Sequence, residues 1–143
     1  MSVSGPRSTL KVASVARGDA LVVYAEGDLD ATTAYRLREE LRQVWESSSI
    51  SVVVIDVAQI MFCDSRGLSE LIAALQRGQA ANVRLILSGV QGVLRRVLTI
   101  TGLRNVFEQH PTVEEALGGA SDAGPRHPRG PEMGGLYEVA GDR

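Results

Sequence analysis

The run ISVVVIDV at residues 50–57 is β-branched and almost continuously apolar. A strand written this way has no polar face to offer water, so both of its faces must be covered. It is expected to be the central strand of a sheet. After it, Leu68, Leu71, Ile72 and Leu75 recur at three- and four-residue spacing, the stripe of a helix ending near Gly78, and VRLILSG at residues 83–89 is a second buried strand. Strand, helix and strand in that order imply a parallel pair joined by a right-handed crossover, which places the chain in the α/β class.

The other elements fit around this unit. Residues 9–16 alternate loosely and residues 20–25, ALVVYA, are strand-like, with ARGDA between them supplying a hairpin glycine. The tripeptide Arg17-Gly18-Asp19 therefore reads as a turn and not as an adhesion motif. A helix follows EGDLD, with Ala34, Leu37, Leu41, Val44 and Trp45 inward, Arg36, Arg38, Glu39 and Arg42 outward, and Asp30 as its N-cap. Ser47, Ser48 and Ser49 end it. Val93, Leu94, Val97 and Leu98 mark a third helix stopped by Gly102, and Val106 and Phe107 a short last strand. Thr112 and Glu115 have the spacing of a capping box, so a short helix should begin there, with Leu117 its last core residue. Beyond Gly118 the sequence turns rich in glycine and proline without apolar period, as expected of a flexible tail. The expected division is an N-terminal extension over 1–8, a single domain over 9–118 and a tail over 119–143.

Composition removes several functions. A net charge of −2 provides no general electrostatic footprint for nucleic acid or anionic membrane, so no direct nucleic-acid partner is expected. Cys63 is the only cysteine, which excludes an intramolecular disulfide and a cysteine-based zinc cluster and fits a reducing compartment. The first residues lack the apolar core of a signal peptide, and no run is long enough for a membrane span. A cytoplasmic location is the expectation.

Enzyme chemistry fails on missing parts. Asp56 at the end of an apolar strand, with Asp28 and Asp30 as magnesium ligands, imitates a receiver domain, but such a site also needs a lysine after a later strand and the only lysine is Lys11. Asp56 then reads as an acid bonding to nearby backbone. No glycine run leads into a phosphate-gripping loop. Cys63 and Arg66 are too close to frame a phosphatase loop. Ser65 lacks the nucleophile-elbow pattern, and the two histidines, His110 and His127, stand before a capping turn and in the tail. The ligand set for a transition-metal site is inadequate, and no cofactor is expected.

The remaining feature is Asp64-Ser65-Arg66-Gly67 between the apolar strand and the next helix. Asp64 and Ser65 are together the N-cap and first turn. A hydroxyl there is also well placed for phosphorylation. A phosphate adds about −1.5 to −2 charges at the positive end of a helix, favourable by about 0.3–1 kcal/mol, with Asp64 opposing. The fold should survive it. A partner packed over the serine would instead face a buried uncompensated charge, a cost of about 3–5 kcal/mol.

These residues resemble a known family. GDLDATTA at 27–34, VVVIDVAQIMFCDSRGL at 52–68 and VRLILSGVQGVLRRVLTITGL at 83–103 are similar in content and order to the STAS domain of bacterial anti-sigma factor antagonists, over about residues 9–117. The most specific element is Asp-Ser-x-Gly-Leu, carried by Asp64, Ser65, Gly67 and Leu68, supported by Gly-x-Leu-Asp after the second strand and Thr-Gly-Leu after the third helix. The resemblance implies a mixed four- to five-stranded sheet with about four helices packed mainly on one face. It implies a binding protein and not an enzyme: the unphosphorylated form binds an anti-sigma factor of the serine kinase type and so releases the sigma factor. The kinase phosphorylates Ser65 and a PP2C-type phosphatase reverses it. Asp64, Gly67 and Leu68 would shape the turn, and Asp28 and Asp30 would lie near it. The chain departs from the family at Arg66, where a small residue is usual, and at Ser69, where glycine is common. Arg66 either neutralises a neighbouring phosphate, pairs with an acid on the partner, or points to solvent and merely tolerates the motif. It also leaves room for a STAS scaffold or ligand-binding subunit that works without phosphorylation.

Overall fold

Gly18, with φ of +64°, and Asp19 turn the chain between β1 (Leu10–Arg17) and β2 (Ala20–Leu29), which pair antiparallel from Arg17 opposite Ala20 to Leu10 opposite Gly27. The computed structural model describes residues 8–123 of the 143. After β2 come α1 (Ala34–Trp45), β3 (Val52–Cys63), α2 (Ser65–Ala81), β4 (Arg84–Ser88), α3 (Gly92–Ile100), β5 (Glu108–His110) and α4 (Val113–Ala123). The strands form one sheet in the order β1-β2-β3-β4-β5, and every pairing after the first is parallel. This is the mixed α/β sheet that the strand-helix-strand pattern and the resemblance both predict, with β3 at its centre.

The sequence of β3 explains the layers. Val53, Ile55 and Val57 point into the larger core with Leu37, Leu41, Val44, Leu71, Leu94 and Leu98 from α1, α2 and α3. Val54 points the other way, into a small cluster with Val22, Ile86 and Ala116 of α4. Three helices thus cover one face and α4 the other. Fully burying side chains of this size stabilises by about 1.5–3 kcal/mol each.

Several element ends differ from the sequence expectation. β2 and β3 run on to Leu29 and Cys63, because Glu26–Leu29 and Gln59–Cys63 keep pairing through two register shifts after the strongly apolar residues end. The Gly-x-Leu-Asp segment therefore lies at the end of β2 and not after it. Gly78 does not stop α2. It is an inner, buried residue whose absent Cβ would stand 2.8 Å from the Val83 carbonyl oxygen, and the helix ends at Asn82 in the left-handed conformation. Asp30 is not the N-cap of α1. That position belongs to Thr33, without a side-chain capping bond, while Asp30 closes the turn before it. Trp45 is half-buried at the edge of the core, and the last strand begins at Glu108, with Phe107 in the core. Thr112 accepts the Glu115 amide at 3.1 Å, one half of the expected capping box. α4 runs to Ala123, past the Gly118 at which the composition changes; the rest of the expected tail and residues 1–7 lie outside the described residues.

Leu37 is fully buried beneath the sheet. Leu37→Ala is expected to lower stability by about 2–5 kcal/mol in equilibrium urea unfolding. Gln76→Ala, on the exposed side of α2, should stay within about 0.5 kcal/mol of the parent.

Candidate functional site

The site is built where β2 and β3 end side by side. Asp28 stands opposite Phe62 and Leu29 opposite Cys63, and the Asp64 amide donates to the Leu29 carbonyl at 3.3 Å. That bond fixes where α2 begins. Asp64 is the N-cap: its backbone is extended and its Oδ1 accepts from the Gly67 amide at 2.9 Å. Its carbonyl takes the Leu68 amide, also at 2.9 Å. Ser65 is the first helical residue, so of the pair expected to share the cap and first turn, Asp64 is the cap and Ser65 opens the turn.

Glycine at position 67 follows from the same geometry. A Cβ there would stand 2.1 Å from the Leu29 carbonyl oxygen and 2.9 Å from the Leu29 Cγ. On the other side of β2, Gly27 has φ of +119° and a Cβ would meet the Thr9 oxygen at 2.3 Å. Both neighbours press against the end of β2 more closely than any side chain allows. Leu68, the next residue, anchors the helix in the core.

The other expected site residues divide into bound and free groups. Asp30 is buried, with Oδ1 accepting from the Thr32 amide and hydroxyl at 2.9 and 2.8 Å and from the Thr33 amide at 3.2 Å. The Ser8 hydroxyl foremost, then the Thr32 and Thr33 groups, hold its carboxyl below the usual range against the opposing effect of burial. Asp28 is half-buried; its amide donates to the Thr9 carbonyl and its carbonyl accepts the Thr33 hydroxyl at 2.6 Å. Their backbone is brought to the site, but neither carboxylate bonds to Ser65. Ser65 itself is exposed, and its hydroxyl has no hydrogen-bond partner among the described residues. Its carbonyl accepts the Ser69 hydroxyl at 2.9 Å. Arg66 is exposed and has no carboxylate within 4.0 Å among the described residues.

Two features escaped the sequence reading. Met61 and Phe62, four and three residues before Ser65 near the end of β3, are 73% and 46% exposed. Only the burial of Ile60 and Cys63 in β3 shows that the two apolar residues between them have no inward place. The second is Glu70, buried between α1 and α2, where it receives Arg38 at 3.1 and 3.2 Å and faces Arg77 at 3.7 Å. Charge alternation alone could not show that this acid points inward.

Catalytic alternatives find no support in this geometry. Burial, and then the Asp64 charge, push the Cys63 thiol up to about 11, so it is not a thiolate at neutral pH. His110 faces Glu108 at 3.3 Å on β5, beside Arg84. Burial raises the Glu108 carboxyl, but the bonds from His110 and Arg84 outweigh it and leave the group below its ordinary value. Asp56 Oδ1 accepts the Ala58 amide, the backbone role the sequence suggested. Among the described residues no group of three His, Cys, Asp or Glu side chains could hold a metal ion, and no helix is long and apolar enough to cross a membrane.

The model of the STAS domain family matches residues 11–116, most of the chain and all of this site. The chain belongs to the STAS domain family. An anti-sigma-B factor antagonist of Listeria monocytogenes is 30% identical over 90 residues, 63% of this chain and 78% of that protein. The crystal structure of an anti-sigma factor antagonist from Mycobacterium paratuberculosis superposes with a TM-score of 0.68 at 26% identity, covering 80% of this chain and 96% of that one. The Bacillus cell fate determinant SpoIIAA in its phosphorylated form shares the fold, with a TM-score of 0.59 at 19% identity over 77% of this chain and 97% of that one. The STAS fold expected from the sequence is thus the fold observed.

Two outcomes test this geometry. Gly67→Ala should destabilise by about 1–3 kcal/mol or more in urea unfolding, because backbone must move, whereas Ser65→Ala should stay within about 0.5 kcal/mol. With its thiol pushed up to about 11, Cys63 stays protonated in the native protein at pH 8. Thiol labelling should therefore be far slower than in urea, and its rate should climb as the pH rises toward 11.

Proposed function

We propose that this STAS chain is an anti-sigma factor antagonist whose binding is switched by phosphorylation at Ser65. The observation that carries the reading is the state of the α2 N-terminus. Asp64 satisfies the Gly67 and Leu68 amides, while the Ser65 hydroxyl stays exposed and uncommitted. The Ser65 and Arg66 amides have no acceptor among the described residues, so a phosphate on Ser65 meets free donors and the positive end of the helix. Modification therefore leaves the fold in place and changes what the surface presents.

The partner is an anti-sigma factor with serine kinase activity, acting in the cytoplasm, and a PP2C-type phosphatase restores the free hydroxyl. Met61 and Phe62 supply apolar contact area beside the serine. Asp64, Gly67 and Leu68 hold the turn, and Asp28 and Asp30 shape the adjoining loop. The Listeria relative is itself named as an antagonist, which supports the same class for this chain. A phosphate under a packed partner is a desolvated charge without a counter-ion, enough to weaken binding by about a hundredfold or more.

Helix geometry supports one of the functional readings of Arg66 over the other. Adjacent helix positions point about 100° apart and do not face each other, which disfavours a phosphate on Ser65 neutralised by its own neighbour. A carboxylate on the partner is the better match for an exposed guanidinium with no acid beside it.

Incubation with the cognate kinase and ATP, followed by peptide mapping, should place one phosphate on Ser65; absence of phosphate with every cognate kinase would overturn the switch. Ser65→Ala should keep the anti-sigma partner and Ser65→Asp should lose it. Arg66→Ser should weaken the unphosphorylated complex while leaving the loss on phosphorylation unchanged; a larger phosphate-induced loss in Arg66→Ser would restore the neutralising role.

A further inference from the structure

Away from Ser65, the charge of the chain is unevenly placed. Residues 71–107 contain five arginines and no aspartate or glutamate. Arg77 and Arg84 are matched by Glu70 and Glu108 from outside that stretch. Arg95, Arg96 and Arg104 have no carboxylate within 4.0 Å among the described residues. All three are exposed.

They share a surface with apolar groups. α3 buries Leu94 and Leu98, so Arg95, Arg96, Thr99 and Ile100 form its outward stripe at three- and four-residue spacing. Ile100 is 76% exposed, and Val106, in the turn that also carries Arg104, is 46% exposed. The stripe is already ordered: Arg95 donates one N–H to the Val90 carbonyl at 3.1 Å, and the Thr99 hydroxyl is committed to the Arg95 carbonyl at 2.8 Å. An anchored guanidinium at Arg95, with Arg96 one turn before the exposed Ile100, is the composition of a protein-recognition patch, where arginine is enriched.

We propose that the outward face of α3, with the turn through Arg104 and Val106, is a second docking surface, for an acidic amphipathic segment of a protein partner. Charge complementarity selects the occupant. Three cations with no acid among them call for carboxylates, and Ile100 and Val106 call for an apolar side chain between those carboxylates. A nucleic-acid backbone would leave the apolar groups unused. A chain of net charge −2 also repels an extended polyanion outside this patch. The surface does not include Ser65, so it would hold a partner in either phosphorylation state.

The test uses the full-length protein, labelled with nitrogen-15, and a synthetic amphipathic helical peptide bearing glutamates at four-residue spacing around leucines. Amide shifts confined to residues 95–106 are expected, with affinity lost by about tenfold or more in Arg95→Glu/Arg96→Glu and in Ile100→Ser, and unchanged in Ser65→Asp. A peptide with glutamine in place of glutamate should bind about tenfold more weakly or worse. Shifts elsewhere, equal binding of the glutamine peptide, or indifference to both sets of substitutions would overturn the proposal. So would tighter binding at the same residues by a short DNA duplex or by phosphatidylglycerol vesicles.

Discussion

The carbonyl of Leu29 is the point on which the functional end of the molecule is built. It accepts the Asp64 amide, and no Cβ at position 67 could coexist with it. The first turn of α2 is therefore pressed directly onto the end of β2. Parallel pairing of β2 with β3 brings the two together, since only a strand that runs on to Cys63 delivers Asp64 to that carbonyl. Gly27 makes the equivalent approach to Thr9 on the β1 side, so the end of β2 is gripped from both neighbours. A seat made from backbone is stiffer than one made from long side chains, because it has no rotamers to relax into.

Around this seat the polar groups have separate tasks. Asp30, Thr33 and Asp64 spend their hydrogen bonds on the two loops that meet there. Ser65 spends none through its hydroxyl, although it sits among them. The acids near the serine thus act as construction, and the serine is left as the chemically available group. The buried thiol of Cys63, two residues earlier, is kept protonated by the same apolar packing that holds the strand end.

The sequence disclosed the fold where apolar spacing carries the information. Val53 to Val57 announced a strand covered on both faces, and the stripes of α1, α2 and α3 named most of the residues that fill the larger core. It was less informative where pairing or close approach decides. The extension of β3 depends on β2 lying beside it, and AQIMFC alone has no pattern that requires this. Gly78 reads locally as a helix stop, yet the packing of Val83 over it makes it a contact residue and leaves the ending to Asn82. Asp30 has the composition of a cap and performs that role one turn early. At the site, Asp64, Ser65 and Gly67 were visible as a motif, while Met61 and Phe62 were hidden in what looked like ordinary strand text. Glu70 was hidden for a different reason: its partners are Arg38, 32 residues earlier on the adjacent helix, and Arg77, two turns on along its own helix.

That glutamate has a mechanical consequence. Its carboxylate is gripped from α1 by Arg38 and from its own helix by Arg77, so sliding α2 past α1 would strand a charge in the interior. The arginines reach that carboxylate from half-exposed positions on two helices, so the clasp ties the surface of α1 to the inner face of α2. The first turn of α2 is thus carried on a helix already clasped to its neighbour. On the proposed reading, a phosphate on Ser65 would mark that surface for whatever approaches without needing to move the helix.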